Sequence, residues 1–246
     1  MGDKIFYFFC GWFVIGFILV PLDFVPPWLE WANSVFLIAA GVVAVFYFLH
    51  TYGTKAGLIY SSFVFTFSIA VEQFGVQTGL FFGDYAYTAR FGVKVFDTPI
   101  TIGFAWLLVM GCADALTRGI TSVKFLLPIL GALIAVTMDL ILDPVSYVVK
   151  EYWIWSGGGF YYDIPARNFI GWFVLAFVFQ ASLSLANFRL EPTWQMRMSL
   201  VFAGVILMFC ITAFFGGLIG APILVLTLST GWYGLFLKRR KTYAAI

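Results

Sequence analysis

Charged residues are scarce in this chain: they make up 11% of its 246 residues, against 62% that are hydrophobic. Soluble globular chains carry about 25% charge, so the sequence lacks the polar surface that keeps a folded domain in water. Its mean hydropathy of +0.98 agrees. Histidine is nearly missing; His50 stands alone, which excludes a multi-histidine metal site. Cys10, Cys112 and Cys210 sit singly inside apolar runs. That spacing excludes a disulfide framework or a thiolate metal centre, and the three read as small core residues. No Walker loop, dinucleotide fingerprint, His-rich box or CxxC occurs, and no lysine falls in the middle of an apolar run, which excludes a retinal Schiff base. A net charge of +2 is too small to point to nucleic acid. There is no internal repeat, low-complexity tract or second domain, so residues 1–246 read as a single integral membrane domain.

What the chain has is apolar length. Runs of about 18 to 25 residues recur throughout, each enough to cross a hydrocarbon core of roughly 30 Å. In lipid every backbone amide must be satisfied within the segment, so such runs become helices; the short alternating segments of a β-barrel are absent. The expected fold is an all-α polytopic bundle with spans at Ile5–Leu22, Ser34–Tyr52, Gly57–Phe81, Pro99–Leu116, Phe125–Leu142, Ala166–Ala186, Met196–Phe214 and Gly220–Leu237. The last two are separated only around Gly216 and Gly217, and fusing them gives seven. The first run follows a single Lys4 and has no small-x-small cleavage site, so it reads as a retained span.

Charge settles the count and the orientation. With both termini in the cytoplasm, Lys4, Lys55, Arg118, Lys124, Arg189, Arg197 and the tail Lys238, Arg239, Arg240 and Lys241 lie inside, ten in all. Arg90, Lys94, Lys150 and Arg167 lie outside among Asp84, Asp97, Glu151 and Asp163. Eight spans obey the positive-inside rule at every short loop and seven do not, which places the protein in the cell membrane. Two outer connections, Phe82–Thr98 and Asp143–Pro165, are long and rich in Gly, Trp and Tyr. That composition argues against disorder and for loops packed over something.

Polar residues inside spans carry the chemistry, because a charge at the bilayer centre costs at least ~2.5–3.5 kcal/mol. Glu72 lies 15 residues into the third span and Asp139 15 residues beyond Lys124. At 1.5 Å per residue both stand about 22 Å above the inner face. Asp143 is one turn further out on the face of Asp139, and Pro144 is expected to end or bend that helix. Asn168, near the outer start of the sixth span, returns to the same level. Three carboxyls and an amide therefore converge in the outer half of the membrane with no basic residue embedded beside them. The plainer alternative is that Asp143 ends a helix, Asp139 pairs with a loop base and Glu72 bonds a neighbouring helix. A buried carboxylic acid that keeps its proton can protonate an unactivated substrate. Trp106, Trp153, Trp155, Tyr161 and Tyr162 are near enough to line a pocket for an apolar or cationic species. His50 reads as interfacial, and Asp114 as the local partner of Arg118, four residues on.

The stretches Glu72–Gly79 (EQFGVQTG) and Phe82–Tyr87 (FGDYAY), then Asp139–Pro144 (DLILDP), then Trp153–Trp172 with its Gly157–Gly159 run, Pro165 and Asn168, occur in this order. Together with Pro99 and Trp106 they resemble the integral-membrane carotenoid-biosynthesis family, which includes CruF-type carotenoid 1,2-hydratases and bisanhydrobacterioruberin hydratase. The resemblance covers roughly residues 70–175. Asp163 departs from the small residue of the pattern, and residues 1–60 and 188–246 match only in hydropathy. The resemblance implies a lyase that adds water to the terminal C1=C2 double bond of a linear carotenoid, through a tertiary cation and without a cofactor or metal. Asp139 or Asp143 would be the acid, with Glu72 and Asn168 positioning water or accepting its proton. Tyr85, Tyr87 and Trp172, in the same motifs, join the substrate-binding set. The implied partners are the bilayer, the linear carotenoid and other enzymes of the pathway. Two other readings stay open: a cyclase or double-bond isomerase on the same carboxyls, and a proton-coupled transporter, although no inverted repeat supports the latter.

Overall fold

The computed structural model describes residues 1–244, without the side chains of Pro27 and of residues 240–244. The side chains of Arg240 and Lys241, counted above among the inner basic residues, therefore lie outside the described set. Eight helices are long and apolar enough to cross a membrane: α1 Gly2–Leu19, α2 Trp31–Tyr52, α3 Thr54–Thr78, α4 Thr101–Ile120, α5 Leu126–Pro144, α6 Ala166–Ser184, α7 Pro192–Phe215 and α8 Gly220–Ala244. Over the described residues the protein is an all-α membrane bundle of eight helices, not seven. Between α7 and α8, Gly217 takes φ +82°, a left-handed turn that separates the two.

The bundle is built around α4. Nearly every side chain from Thr101 to Ile120 is buried, as in a helix enclosed by others, and its Asp114 and Arg118 are paired with each other. It packs against α2, α3, α5, α7 and α8. At the opposite extreme, only Gly2 and Phe9 of α1 are buried. This helix lies at the periphery and packs mainly on α2. Gly53 alone joins α2 to α3, with φ +81°.

The helix ends depart from the expected spans in ways that matter for the site. Gly79, in the left-handed region at φ +64°, ends α3, so residues 80–100 are all connection. The regular α-helix of α5 ends at Pro144, but the helical path does not. The chain continues through it into a wide helical turn, Val145–Val149, in which Lys150 N bonds Val145 O. Proline lacks the N–H that would bond the carbonyl four residues earlier, which is that of Leu140. The Tyr161 hydroxyl donates to the Leu140 oxygen instead, at 2.7 Å. The orphaned acceptor is satisfied and the helical path persists.

The two long connections fold over one end of the bundle. They contain β1 Tyr85–Tyr87, β2 Lys94–Val95, β3 Thr98–Pro99 and β4 Trp153–Trp155. β2 and β3 form a short hairpin. β1 and β4 come from different connections and pair antiparallel, with Tyr85 opposite Trp155, Ala86 opposite Ile154 and Tyr87 opposite Trp153. Further bonds from Thr88 N to Tyr152 O and from Ser156 N to Asp84 O extend the pairing.

The other end of the bundle holds a separate polar cluster. Asp114 and Arg118 bond at 3.0 Å on α4, and both are buried. Tyr47 and Tyr52 donate to Asp114 at 2.8 and 2.7 Å, while the Arg118 guanidinium bonds Leu183 O and lies 4.0 Å from the centre of the Phe188 ring. His50 is exposed at this end, with its ring against Trp194.

Candidate active site

Side chains alternate across a strand, and in the β1–β4 pair this puts four aromatics on one face. Ala86 and Ile154 point outward and are exposed; Tyr85, Tyr87, Trp153 and Trp155 turn toward the bundle. There they meet the carboxyls. Tyr85 and Tyr87 donate their hydroxyls to Glu72 Oε2 at 2.5 and 2.9 Å, and Trp106 of α4 donates its indole N–H to Oε1 at 3.3 Å. Trp153 and Trp155 donate to Asp143 Oδ1 at 2.8 and 3.3 Å. Each strand thus serves one carboxyl. Burial, followed by the proximity of Glu72, pushes the Tyr85 and Tyr87 phenols well above their ordinary range, so both remain donors.

Asn168 of α6 joins the other two acids. Its amide nitrogen lies 2.6 Å from Asp143 Oδ2 and 2.9 Å from Asp139 Oδ2. Glu72 and Asp143 therefore receive three donors each. Asp139 receives one, which leaves its Oδ1 without a hydrogen-bond partner among the described residues. No basic side chain among them touches any of the three. Lys150 lines the same cavity but bonds Val20 O and Asp23, at 3.3 and 3.0 Å. All three carboxyls and Asn168 are almost fully buried.

They line a cavity of about 220 Å³. Trp106 and Trp172 form one wall, their rings stacked with centroids 4.3 Å apart. Tyr85, Tyr87, Trp153 and Trp155 form the roof, and the residues from α1, α2 and α7 are mostly apolar. The chemistry such a site offers is protonation of an apolar substrate beside π faces and fixed acceptors, which suit a cationic intermediate.

Ten of the sequence-derived candidates meet at this cavity: Glu72, Asp139, Asp143, Asn168, Trp106, Tyr85, Tyr87, Trp153, Trp155 and Trp172. Tyr161 and Tyr162 do not line it. Tyr161 serves the Leu140 carbonyl, and the Tyr162 hydroxyl accepts the Ala221 N–H at 2.9 Å at the head of α8. Asp163 sits at φ +61°, a conformation Asp tolerates better than most side chains. The cavity also includes residues that sequence reasoning passed over: Asn33 and Lys150 at its rim, and Gly16, Val205, Met208 and Thr212 further along. Asn33, an amide at the outer end of an apolar helix, carried a readable signal. The apolar residues of α1 and α7 carried none, because lining a cavity and facing lipid call for the same composition.

A model of the family described as carotenoid biosynthesis protein matches residues 32–234, well beyond the 70–175 core on which the resemblance rested. Neither the curated proteins nor the solved structures give a significant match. The match takes in α2 to α7, most of α8, and every element that carries one of the ten candidates above. The chain belongs to the carotenoid biosynthesis protein family and acts in carotenoid biosynthesis.

Proposed function

We propose that the protein is a hydratase that adds water across the terminal C1=C2 double bond of a linear carotenoid. One observation carries the reading. Of three buried carboxyls at one apolar cavity, only Asp139 keeps an oxygen free to face a substrate. Carboxyls that only accept, as Glu72 and Asp143 do from three donors each, suit the ionised form. A carboxyl with one donor and an open oxygen suits the acid.

Asp139 transfers its proton to C2 of the end group, and the electron pair of the double bond forms the new C–H bond. This leaves a tertiary cation at C1, which the Trp106 and Trp172 faces and the two fixed carboxylates stabilise. A water oxygen bonds to C1, and its surplus proton returns to the Asp139 carboxylate. The sum is one water added, with no change of oxidation level, so the reaction requires no redox partner. Asn168 acts as a positioning residue, holding Asp139 and Asp143 in register. Asn33, Ser146 and Thr212 give the otherwise apolar cavity polar atoms at which water can wait. By the excess of basic residues, we place the end with both termini in the cytoplasm.

The test is expression in cells that accumulate a linear carotenoid, followed by pigment mass analysis. The reading requires a gain of one water per end group that disappears in Asp139→Asn. Pigment of unchanged mass but altered retention would replace the hydratase with a cyclase or isomerase on the same carboxyls. No new pigment from well-expressed protein, with any linear carotenoid tried, would overturn it.

A further inference from the structure

The cavity does not stop at the carboxyls. It extends between the peripheral helix α1 and α7, lined on one side by Trp12, Ile15, Gly16 and Leu19 and on the other by Val205, Met208 and Thr212. The α1 residues fall at spacings of three and four, so they form one helix face. Beside Trp12 and Val205, and again near the termini, the two helices touch. A Cβ on Gly204 would lie 3.0 Å from the Phe13 ring, and Arg197 bonds Asp3. Toward the other end, Lys150 fastens Val20 and Asp23, just past α1, to the segment that follows the site.

Between these two fastenings the wall is open. Ile15 lines the cavity yet is 57% exposed, and a Cβ on Gly16 would meet nothing within 4 Å. Both residues belong to a membrane-spanning helix, so the opening faces hydrocarbon and not water. Size gives the second constraint. Pockets that enclose a drug-sized ligand run to roughly 300–1,000 Å³, and this one is about 220 Å³. A long polyene cannot fit inside it. Only an end group can, and the remainder of the chain must lie in the opening and the bilayer beyond.

We infer that a linear isoprenoid chain enters end-first from the bilayer through the gap between α1 and α7, one terminus per binding event, and that Gly16 sets the bore of that gap. The inference rests on the reading of the carboxyl layer as the site that acts on chain ends. It follows that a chain with two reactive ends is released after the first is modified and must rebind to present the second.

The experiment uses the full chain in phosphatidylcholine vesicles loaded with lycopene, with two readouts: pigment retained per protein after repurification, and the time course of products. Gly16→Phe, and Ile15→Trp at the mouth, are expected to lower both retention and turnover at least about tenfold. Gly11→Phe, on the same helix where a side chain also meets nothing within 4 Å but away from the cavity, leaves both unchanged. Should the bulky variants misfold, Gly16→Cys in a Cys10→Ser background can be folded first and then alkylated with a bulky maleimide. In the wild type, free singly hydrated chain should precede the doubly hydrated one. Retention and turnover at wild-type levels in the blocked proteins would overturn the entry route, as would doubly hydrated product without free singly hydrated chain. A wild type that retains no pigment would overturn it as well. If blocking abolishes retention while even the wild type adds no water, the entry route stands and the hydratase falls.

Discussion

Asp139→Asn and Asp143→Asn make the same chemical change one helical turn apart, and the hydrogen bonds around them predict different outcomes. At position 139 the new amide can turn its oxygen to the Asn168 N–H and its NH₂ to the cavity, so no bond is lost. What disappears is the proton. A positioned general acid contributes about 10²–10⁴-fold, and turnover should fall by at least that factor. At position 143 three donors converge on two oxygens. Indole N–H groups cannot become acceptors, so the amide oxygen must stay with Trp153 and Trp155 and the new NH₂ faces the Asn168 NH₂. Flipping Asn168 would relieve that clash only by taking the donor from Asp139. One buried group is left unsatisfied, at about 1–3 kcal/mol, or roughly 2–12 °C in melting temperature for a chain of this size. Asp143→Asn should therefore be both unstable and poorly active, and Asp139→Asn inactive at the wild-type melting temperature. The assay is product formation by purified variants in lipid vesicles, alongside thermal unfolding of the same preparations. Wild-type turnover in Asp139→Asn would refute the assignment of the acid. A melting temperature depressed as far as that of Asp143→Asn would refute the claim that Asp139 Oδ1 is free.

Three further predictions concern the scaffold. Asp114→Leu leaves the buried Arg118 guanidinium without its carboxylate and should cost about 3–5 kcal/mol in unfolding experiments, whereas Asp114→Leu with Arg118→Met should recover much of the loss. Tyr161→Phe uncovers the Leu140 carbonyl beside Pro144 and should lower stability by about 1–3 kcal/mol, with the Asp139 chemistry retained on any substrate that binds. Phenolate absorbance should show Tyr85 and Tyr87 titrating only above the ordinary phenol value of about 10. Because their folded values are raised, the stability these two phenols contribute is fully present below about pH 10 and is lost as pH rises through the higher folded values.

How much of this was legible in the sequence varies with the physics involved. The spans were, because the demand for internally bonded backbone in lipid leaves long apolar runs one conformation. The shared depth of Glu72, Asp139 and Asp143 was legible too, since 1.5 Å per residue converts position into height once direction is known. At Pro144 the α-helix ends as expected, but the wide turn that carries the chain on was not legible. Proline's missing N–H is a local fact, but whether the helical path survives it depends on a hydroxyl from Tyr161, more than a dozen residues away. The aromatics were read as a pocket lining, and six of the eight line the cavity. That five of them are also donors to the carboxyls was hidden, because for four of the five it depends on pairing between two separate connections. The part played by α1 was hidden most completely, for its lining residues are as apolar as any that face lipid.

The pairing of β1 with β4 also bears on why these two connections are ordered at all. Two strands of three residues each are far too short to be stable alone. Their register, however, decides which face meets the carboxyls. A shift of both strands by one residue would turn Tyr85, Tyr87, Trp153 and Trp155 outward and bring Ala86 and Ile154 in. Glu72 and Asp143 would then lose four donors between them. At about 1.5–3 kcal/mol for each bond to a charged acceptor, the loss is about 6–12 kcal/mol, comparable to the whole net stability of a typical domain. The buried carboxyls thus hold the roof in register, and the roof supplies the donors that distinguish Glu72 and Asp143 from Asp139. On the proposed reading, the alternation of a six-residue sheet sets the acid apart among three carboxyls, and the carboxyls beneath the sheet hold it in register.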